Sequence, residues 1–326
     1  MVDSPKVSIV VPTLNAGPGF EELLKKISIQ KGDFEHEVLV VDSGSTDGTD
    51  KLAWRYGATV YRIPKAEFNH GATRNLGISL ARGKYVALIV QDAVPLDEWW
   101  LPTMVENLER DERVAGVYSR QIPHQGSSAL TRILVNNLAT ASLERREQSL
   151  GSLEQYRKMP PMKRRRLATF DNVSSCLRRS VWEELPFERT NFGEDIRWGK
   201  KVVEDGYKTV YEPRSAVFHS HERGAMYDLR RYYADQRVLL ELFGLELVPN
   251  LLRLLLAISR STLHLYWLLR RDEEAAATGI LRSMSLALKY AVPAQVGNYL
   301  GVRSGLIARL SPRAFEKLHR FLSKGI

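Results

Sequence analysis

Three clusters in this sequence combine residue types that do chemistry together. Gln91-Asp92 ends an apolar run over residues 86–90, Glu194-Asp195 follows Asn191-Phe192-Gly193, and His219 and His221 flank Ser220. A carboxylate at a strand end suits a hard divalent cation, and imidazoles suit transition metals. Two adjacent acids behind a glycine supply a general base. Each cluster also has a purely structural reading. Asp92 starts a turn before Pro95, acids in a first helical turn are favoured by the helix dipole, and most isolated histidines are structural.

The elements that would position these groups can be read from the hydrophobic pattern. Residues 7–11 (VSIVV), 37–41 (EVLVV) and 85–90 are apolar, β-branched-rich runs of the kind that form strands buried on both faces. Residues 58–63 form a shorter strand. Helices are expected over residues 20–30, 49–56 and from FNHGATRN to 81. The resulting β-α-β-α-β-α-β order, with strand ends at Pro12, Asp42 and Asp92, predicts a doubly wound α/β half whose ligand lies at the strands' carboxyl ends. The loop Asp42-Ser43-Gly44-Ser45-Thr46-Asp47-Gly48-Thr49 offers backbone N–H groups and hydroxyls beside a helix start, which suits a diphosphate. Within it Asp47 reads as a cap and Asp42 as a ligand contact. Arg74 lies in the first turns of its helix, against the dipole, so a paired or ligand-directed role is expected. There is no G-x-G-x-x-G after the first strand and no G-x-x-x-x-G-K-[ST], so neither a dinucleotide fold nor a P-loop enzyme is supported.

Beyond residue 97 the pattern predicts a helix over 97–109, a strand over 114–118 and a long helical stretch within 126–150. The basic, proline-broken stretch 156–166 (YRKMPPMKRRR) reads as a solvated loop or as a flap over an anionic ligand. A strand over 169–178, helices over 179–185 and 196–205, and two short strands over 207–212 and 216–219 follow. On an extended strand His219 and His221 would point to the same side.

The chain has 326 residues, 44% hydrophobic and 26% charged, as in ordinary globular proteins. One cysteine, Cys176, excludes an intramolecular disulfide. No secretory signal is expected from the N-terminus. Residues 247–326 carry 12 Lys/Arg against 4 Asp/Glu, so +8 of the net +9 resides there. That distribution argues against a nucleic-acid-binding core and for a basic surface facing something anionic, such as lipid headgroups. Helices are expected over 227–243, from about 247 to 271, and over 273–291, 294–310 and 312–323. Arg253 and Arg260 interrupt the leucine-rich run, so a spanning helix is not expected. Basic helices with strong apolar faces fit a membrane surface, a helical bundle or a homo-oligomer contact, and the membrane surface is the preferred reading.

Taken in order, VSIVVPTLN (7–15), VVDSGSTDGT (40–49), FNHGATRNLG (68–77), VQDAVP (90–95), NVSSCLRRSVWEELPF (172–187), FGEDIRWGKKV (192–202) and VFHSHE (217–222) resemble the family-2 glycosyltransferases of the GT-A fold. Within them the chain looks like bacterial rhamnosyltransferases that use dTDP-L-rhamnose, mainly through FNHGATRN and QDAVP. The resemblance covers roughly residues 5–225. It implies a GT-A-like α/β fold, a doubly wound, mostly parallel sheet flanked by helices, with a C-terminal helical region. The expected domains are a catalytic domain over 1–225, with a nucleotide-sugar half to about 120 and an acceptor half beyond it, and a basic helical region over 226–326.

Carried over residue by residue, the resemblance implies that Pro12, Thr13 and Asn15 line the nucleotide pocket, that Asp42 contacts the base or ribose, and that Arg74 approaches the nucleotide. Ser43, His70 and Gln91 complete the expected nucleotide-sugar set. Asp92 takes the place of the metal-binding acid of the family's D-x-D motif, Asp195 is the general base of the Glu194-Asp195 pair, and His219 or His221 completes the metal or diphosphate site. Val90 stands where the first acid of D-x-D would be, so one carboxylate remains, and Mg2+ or Mn2+ is expected to bind together with the donor. The expected reaction is direct displacement at the anomeric carbon with inversion, from a dTDP- or UDP-sugar to a glycan or lipid-linked acceptor. The protein is expected in the cytoplasm, at the inner face of the plasma membrane, without nucleic acid as a partner. The alternatives are a UDP-hexose donor on the same fold, or a non-catalytic nucleotide-sugar-binding subunit.

Overall fold

The computed structural model describes residues 4–325. Its described residues divide into two units: 4–124, 138–159 and 163–219 form the first, and 125–137, 160–162 and 220–325 the second.

The first unit is built on one sheet. Its strands are β1 (Val7–Thr13), β2 (His36–Asp42), β3 (Thr59–Arg62), β4 (Tyr85–Ile89), β5 (Val94–Pro95), β6 (Val114–Ile122), β7 (Arg146–Gln148), β8 (Ser174–Arg178) and β9 (Lys208–Phe218). The order is β3-β2-β1-β4-β8-β6-β9-β5, with β7 also on β9. Strands β1 to β4 pair in parallel. Strand β8 is antiparallel to both β4 and β6, and β6 is parallel to β9. Reversing direction twice across β8 leaves β1, β2, β4, β6 and β9 pointing the same way. Their carboxyl ends therefore share one edge of the sheet, and the start of β8 arrives at that edge too. This is where open α/β sheets place their ligands.

Alternating side chains cover both faces of the sheet. Val7, Ile9 and Val11 pack with Phe20, Leu23 and Ile27 of helix α1 (Phe20–Ser28), and with Trp100 and Met104 further along the chain. Val10, Leu39 and Val41 pack on the opposite face with Ile78, Trp198 and Val202. Sheets covered on both faces give the continuous apolar strands read in the sequence.

Three local expectations are corrected. The helical pattern over 126–150 becomes a short helix over Ala129–Asn136, a 3-10 turn and β7. The Asn137 amide donates to the Ile133 carbonyl at 2.8 Å, a side-chain bond of the kind that ends helices. The basic stretch 156–166 is helical rather than a loop, in Leu153–Lys158 and Pro161–Leu167, with Pro161 at a position where a missing N–H costs nothing. The two strands expected around Pro213 are one strand, β9. Its register against β6 jumps from Ser119↔Glu212 to Arg120↔Ala216, so Pro213 sits in a bulge where no ladder bond is needed.

The second unit is helical. Its long helices span Ala225–Phe243, Leu251–Arg271, Ile280–Leu310 and Pro312–Leu322. Pro293 lies inside the third of these, where the sequence reading had placed a break. The first and third approach closely. A Cβ on Gly297 would lie 2.5 Å from the Leu229 carbonyl oxygen, and one on Gly301 would lie 2.7 Å from Gln236 Cβ.

Candidate active site

At the carboxyl edge, β1 and β2 form a self-supporting wall. Asp42 is buried, and its carboxylate accepts from Thr13 Oγ1 at 3.0 Å, Gly44 N at 3.0 Å and Ser45 N at 2.9 Å. Asn15 adopts the left-handed region at φ 46. Its N–H donates to Ser45 Oγ and its Oδ1 accepts from Thr46 N, both at 2.8 Å. Asp47 accepts from Gly17 N and from Thr49 N and Oγ1, but the N-cap of helix α2 (Thr49–Arg55) is Gly48 and has no side-chain cap, so Asp47 ties the loop from one residue outside the cap position instead of capping the helix. Gln91 bridges to this wall, accepting from Leu14 N at 2.8 Å and donating to the Leu14 carbonyl at 3.3 Å. The loop donors expected to hold a diphosphate are thus largely spent on the loop itself. Asp42 likewise acts first as the loop's anchor. Ser43 Oγ is buried with no hydrogen-bond partner among the described residues. Pro12 is half-buried and Asn15 exposed along the same rim.

The motif FNHGATRN builds the next wall. It opens helix α3 (His70–Leu80) with Asn69 as N-cap, its side chain accepting from Ala72 N at 3.1 Å. Asn69 Nδ2 also donates to Asn191 Oδ1 at 2.8 Å. Gly71 permits contact that no side chain would, since a Cβ there would fall 1.8 Å from the Glu188 carbonyl oxygen. Asn75 accepts from Trp182 Nε1 at 2.8 Å and donates to the Phe187 carbonyl at 2.8 Å. The motif therefore docks α3 onto the segment leading to the helix Glu194–Glu204.

That docking brings Arg74 to Glu194. Arg74 Nη1 lies 2.9 Å from Glu194 Oε1, with both side chains 7% exposed. Arg74 also donates to the His70 carbonyl at 3.2 Å, and its Nε is buried without an acceptor among the described residues. Asn172 Nδ2 donates to Glu194 at 3.3 Å. Burial is the largest influence on Glu194 and opposes its ionisation, but the charges of Arg74 and His70 with further hydrogen bonds keep its pKa below the usual value. The adjacent Asp195 goes the other way. Burial first, then the negative charges of Glu194 and Asp171, push its carboxyl well above the ordinary aspartate range. A carboxylate with raised proton affinity is what general-base chemistry near neutral pH needs.

The third wall carries Asp92 and His219. Asp92 follows β4 in a turn, and His124 Nε2 lies 3.2 Å from its carbonyl oxygen. His219 follows β9, its N–H donating to the Ile122 carbonyl at 2.8 Å. His219 Nε2 lies 3.8 Å from Asp92 Oδ1. Behind it, Gln121 Nε2 donates to Asp171 Oδ2 at 2.8 Å, so Gln121 Oε1 is left to accept from His219 Nδ1 at 3.1 Å. With Nδ1 carrying the proton, Nε2 presents a lone pair on the Asp92 side. Metal-binding histidines are oriented in this way. One carboxylate and one oriented imidazole fit a divalent cation, and the nitrogen ligand suits Mn2+ better than Mg2+. Because β9 ends at Phe218, the strand-alternation reading of His219 and His221 does not apply; His221 is exposed and belongs to the second unit.

Gln121, Asp171, Asn172 and His124 were not singled out from the sequence. Asp171 and Asn172 stand immediately before β8, and only its antiparallel placement between β4 and β6 brings them to the carboxyl edge.

The family model of glycosyl transferase family 2 matches residues 8–176. The chain is 29% identical over 233 residues to the O-antigen chain rhamnosyltransferase RfbN of Salmonella typhimurium, covering 70% of each chain. It is 29% identical over 234 residues to the O-antigen chain rhamnosyltransferase WbaN of Salmonella anatum, again covering 70% of each. Among solved structures, the mannosyltransferase PcManGT of Pyrobaculum calidifontis, in complex with GDP-Man and Mn2+, superposes with a TM-score of 0.52 at 19% identity, covering 99% of this chain and 85% of the other. TarS 1-349 of S. aureus superposes with a TM-score of 0.51 at 16% identity, covering 94% and 92%. The chain belongs to glycosyl transferase family 2 and is a glycosyltransferase with a GT-A-like fold.

Proposed function

We propose that this family-2 enzyme transfers L-rhamnose, with inversion, from dTDP-L-rhamnose to a hydroxyl of a glycan or lipid-linked glycan in cell-surface polysaccharide assembly. The observation that carries the choice of sugar is the similarity to two O-antigen chain rhamnosyltransferases over 70% of the length of each.

In this reading the nucleotide lies along Pro12, Thr13, Asn15, Ser43 and Gln91, on the wall that Asp42 shapes. Arg74 and His70 form the floor toward Glu194. Asp92 and His219 would hold a divalent cation. That cation, when bound, offsets negative charge growing on the diphosphate as the sugar leaves. Asp195 takes the proton from the acceptor hydroxyl as its oxygen attacks the anomeric carbon. Glu194, held ionised by Arg74, adds its negative charge to the burial that keeps the proton affinity of Asp195 high, and does not itself compete for the proton. Residues 1–225 constitute the catalytic domain, with the donor half to about 120 and the acceptor half beyond, and residues 226–326 a basic helical region at the cytoplasmic face of the plasma membrane.

A donor screen by thermal shift tests the assignment, because a ligand that binds only the native state raises its melting temperature. dTDP-L-rhamnose with Mn2+ should stabilise the protein more than UDP-hexoses or GDP-mannose. A larger shift with a UDP-hexose would replace the donor. Binding of dTDP-L-rhamnose without transfer or hydrolysis by the purified protein would reduce the chain to a binding subunit.

A further inference from the structure

We infer that the helix Leu251–Arg271 is an interfacial helix that lays an exposed leucine stripe into an anionic lipid surface, with an arginine ridge alongside it for the headgroups. The inference deepens the membrane-surface reading above and rests on it.

This helix is apolar on two faces. One, marked by Thr262, Leu265 and Leu269, is buried within the helical unit. The other is open: Leu252 is 68% exposed, Leu255 65%, Leu263 61% and Trp267 47%. At about 100° per residue these positions, together with Leu256, fall on one side of the helix and run for about 22 Å along its axis. Solvent-facing leucines in such a row cost free energy unless something apolar covers them.

The neighbouring charges indicate what covers them. Arg253, Arg260 and Arg271 are exposed and spaced by 7 and 11 residues, close to whole helical turns, so they line one edge of the stripe. Among the described residues none of the three forms an ion pair. The Arg271 guanidinium stacks 3.4 Å from the centre of the Trp267 ring, a cation–aromatic pair at the end of the stripe. The helix Ile280–Leu310 repeats the arrangement, with Leu281 and Leu288 exposed and Arg282 and Lys289 one residue beyond each.

A second copy packed through this same helical region would have few acids to offer the ridge. Residues 247–326 contain only Asp272, Glu273, Glu274 and Glu316, and two of these, Asp272 and Glu274, already pair with Arg132 at 3.1 and 2.8 Å. Among the described residues no helix is long and apolar enough to cross a membrane. Leucines and a tryptophan on one side with arginines at the edge are the pattern of a helix lying in the headgroup plane.

The test is sedimentation of the full chain with vesicles of phosphatidylcholine alone or mixed with phosphatidylglycerol. The wild type should bind the mixed vesicles at least tenfold more tightly than the neutral ones. The double variant Leu255→Glu/Leu263→Glu should lose at least tenfold on mixed vesicles. Because these substitutions can disturb folding, the solvent-facing triple variant Arg253→Gln/Arg260→Gln/Arg271→Gln serves as a second arm. It should lose on the order of a hundredfold on mixed vesicles, about fivefold per arginine, with little change on neutral ones. Equal binding of wild type and both variants, or no binding by the wild type, overturns the inference. So does a wild-type dimer that the leucine variant dissociates without affecting lipid binding, which would assign the face to a second copy. Donor-induced thermal shift, measured on the same preparations, separates the two readings: a wild type that binds nucleotide-sugar but no lipid fails this inference alone, and a wild type that binds lipid but no nucleotide-sugar fails the proposed function alone.

Discussion

Arg74 pairs with Glu194 at 2.9 Å in a region where both side chains are almost fully buried. This contact separates two neighbouring acids that look equivalent in the sequence. Glu194 is held ionised against a fixed cation, whereas Asp195 is desolvated and repelled by its neighbours.

Removing one partner should therefore be costly. Arg74→Met leaves Glu194 buried without its cation, and Glu194→Leu leaves Arg74 alone. Each should destabilise the fold by about 3–5 kcal/mol in denaturant titrations, whereas the double variant should lose less than the sum. Additive losses would mean that the pair is not coupled.

The pH dependence of activity follows from the raised pKa of Asp195. A base must be deprotonated, so kcat/KM should rise with pH through a pKa above the ordinary aspartate range. Glu194→Gln removes a negative neighbour and leaves the Arg74 charge in place. The acid limb of the pH–rate profile should therefore move to lower pH, and an unmoved limb would remove Glu194 from the environment of the base.

The stability of the fold should show the opposite face of the same shift. A carboxyl whose folded pKa lies above its unfolded value favours the fold at low pH. That contribution is lost as pH rises from the unfolded value toward the folded one. Asp195→Asn should thus raise the melting temperature at neutral pH, with the gain shrinking as pH falls toward about 4. Equal melting temperatures at both pH values would contradict the shift.

Gln121 orients His219 from behind through a 3.1 Å hydrogen bond. Gln121→Leu should weaken Mn2+ binding by about 10–100-fold, read by calorimetry or by the Mn2+ paramagnetic resonance signal, with little change in melting temperature. Unchanged Mn2+ affinity would show that the His219 ring is fixed by other contacts.

Much of this was legible in the sequence because it follows from local pattern. The apolar runs 7–11, 37–41 and 85–90 became parallel strands, and the loop behind Asp42 and the helix start at Glu194 lie close to where their residue types place them. What was hidden depends on strand direction. Strand β8 runs against β4 and β6, and no periodicity announces that reversal. It carries Asp171 and Asn172 into the site and makes Gln121, an unremarkable residue near the end of β6, the support of His219. For Asp42 the sequence indicated a ligand contact, while its added part as anchor of the loop rests on three donors around its carboxylate that are visible only in three dimensions. In FNHGATRN the sequence indicated Arg74, but not that Gly71, Asn69 and Asn75 dock its helix so that Arg74 reaches Glu194.

The most direct measurement of the account is sugar transfer by Asp195→Asn, alongside its affinity for dTDP. Transfer should fall by at least about 100-fold, the scale of a lost general base, with dTDP affinity unchanged to within a few fold. Transfer at near wild-type rates by a folded Asp195→Asn protein would contradict the central claim that Asp195 removes the acceptor's proton.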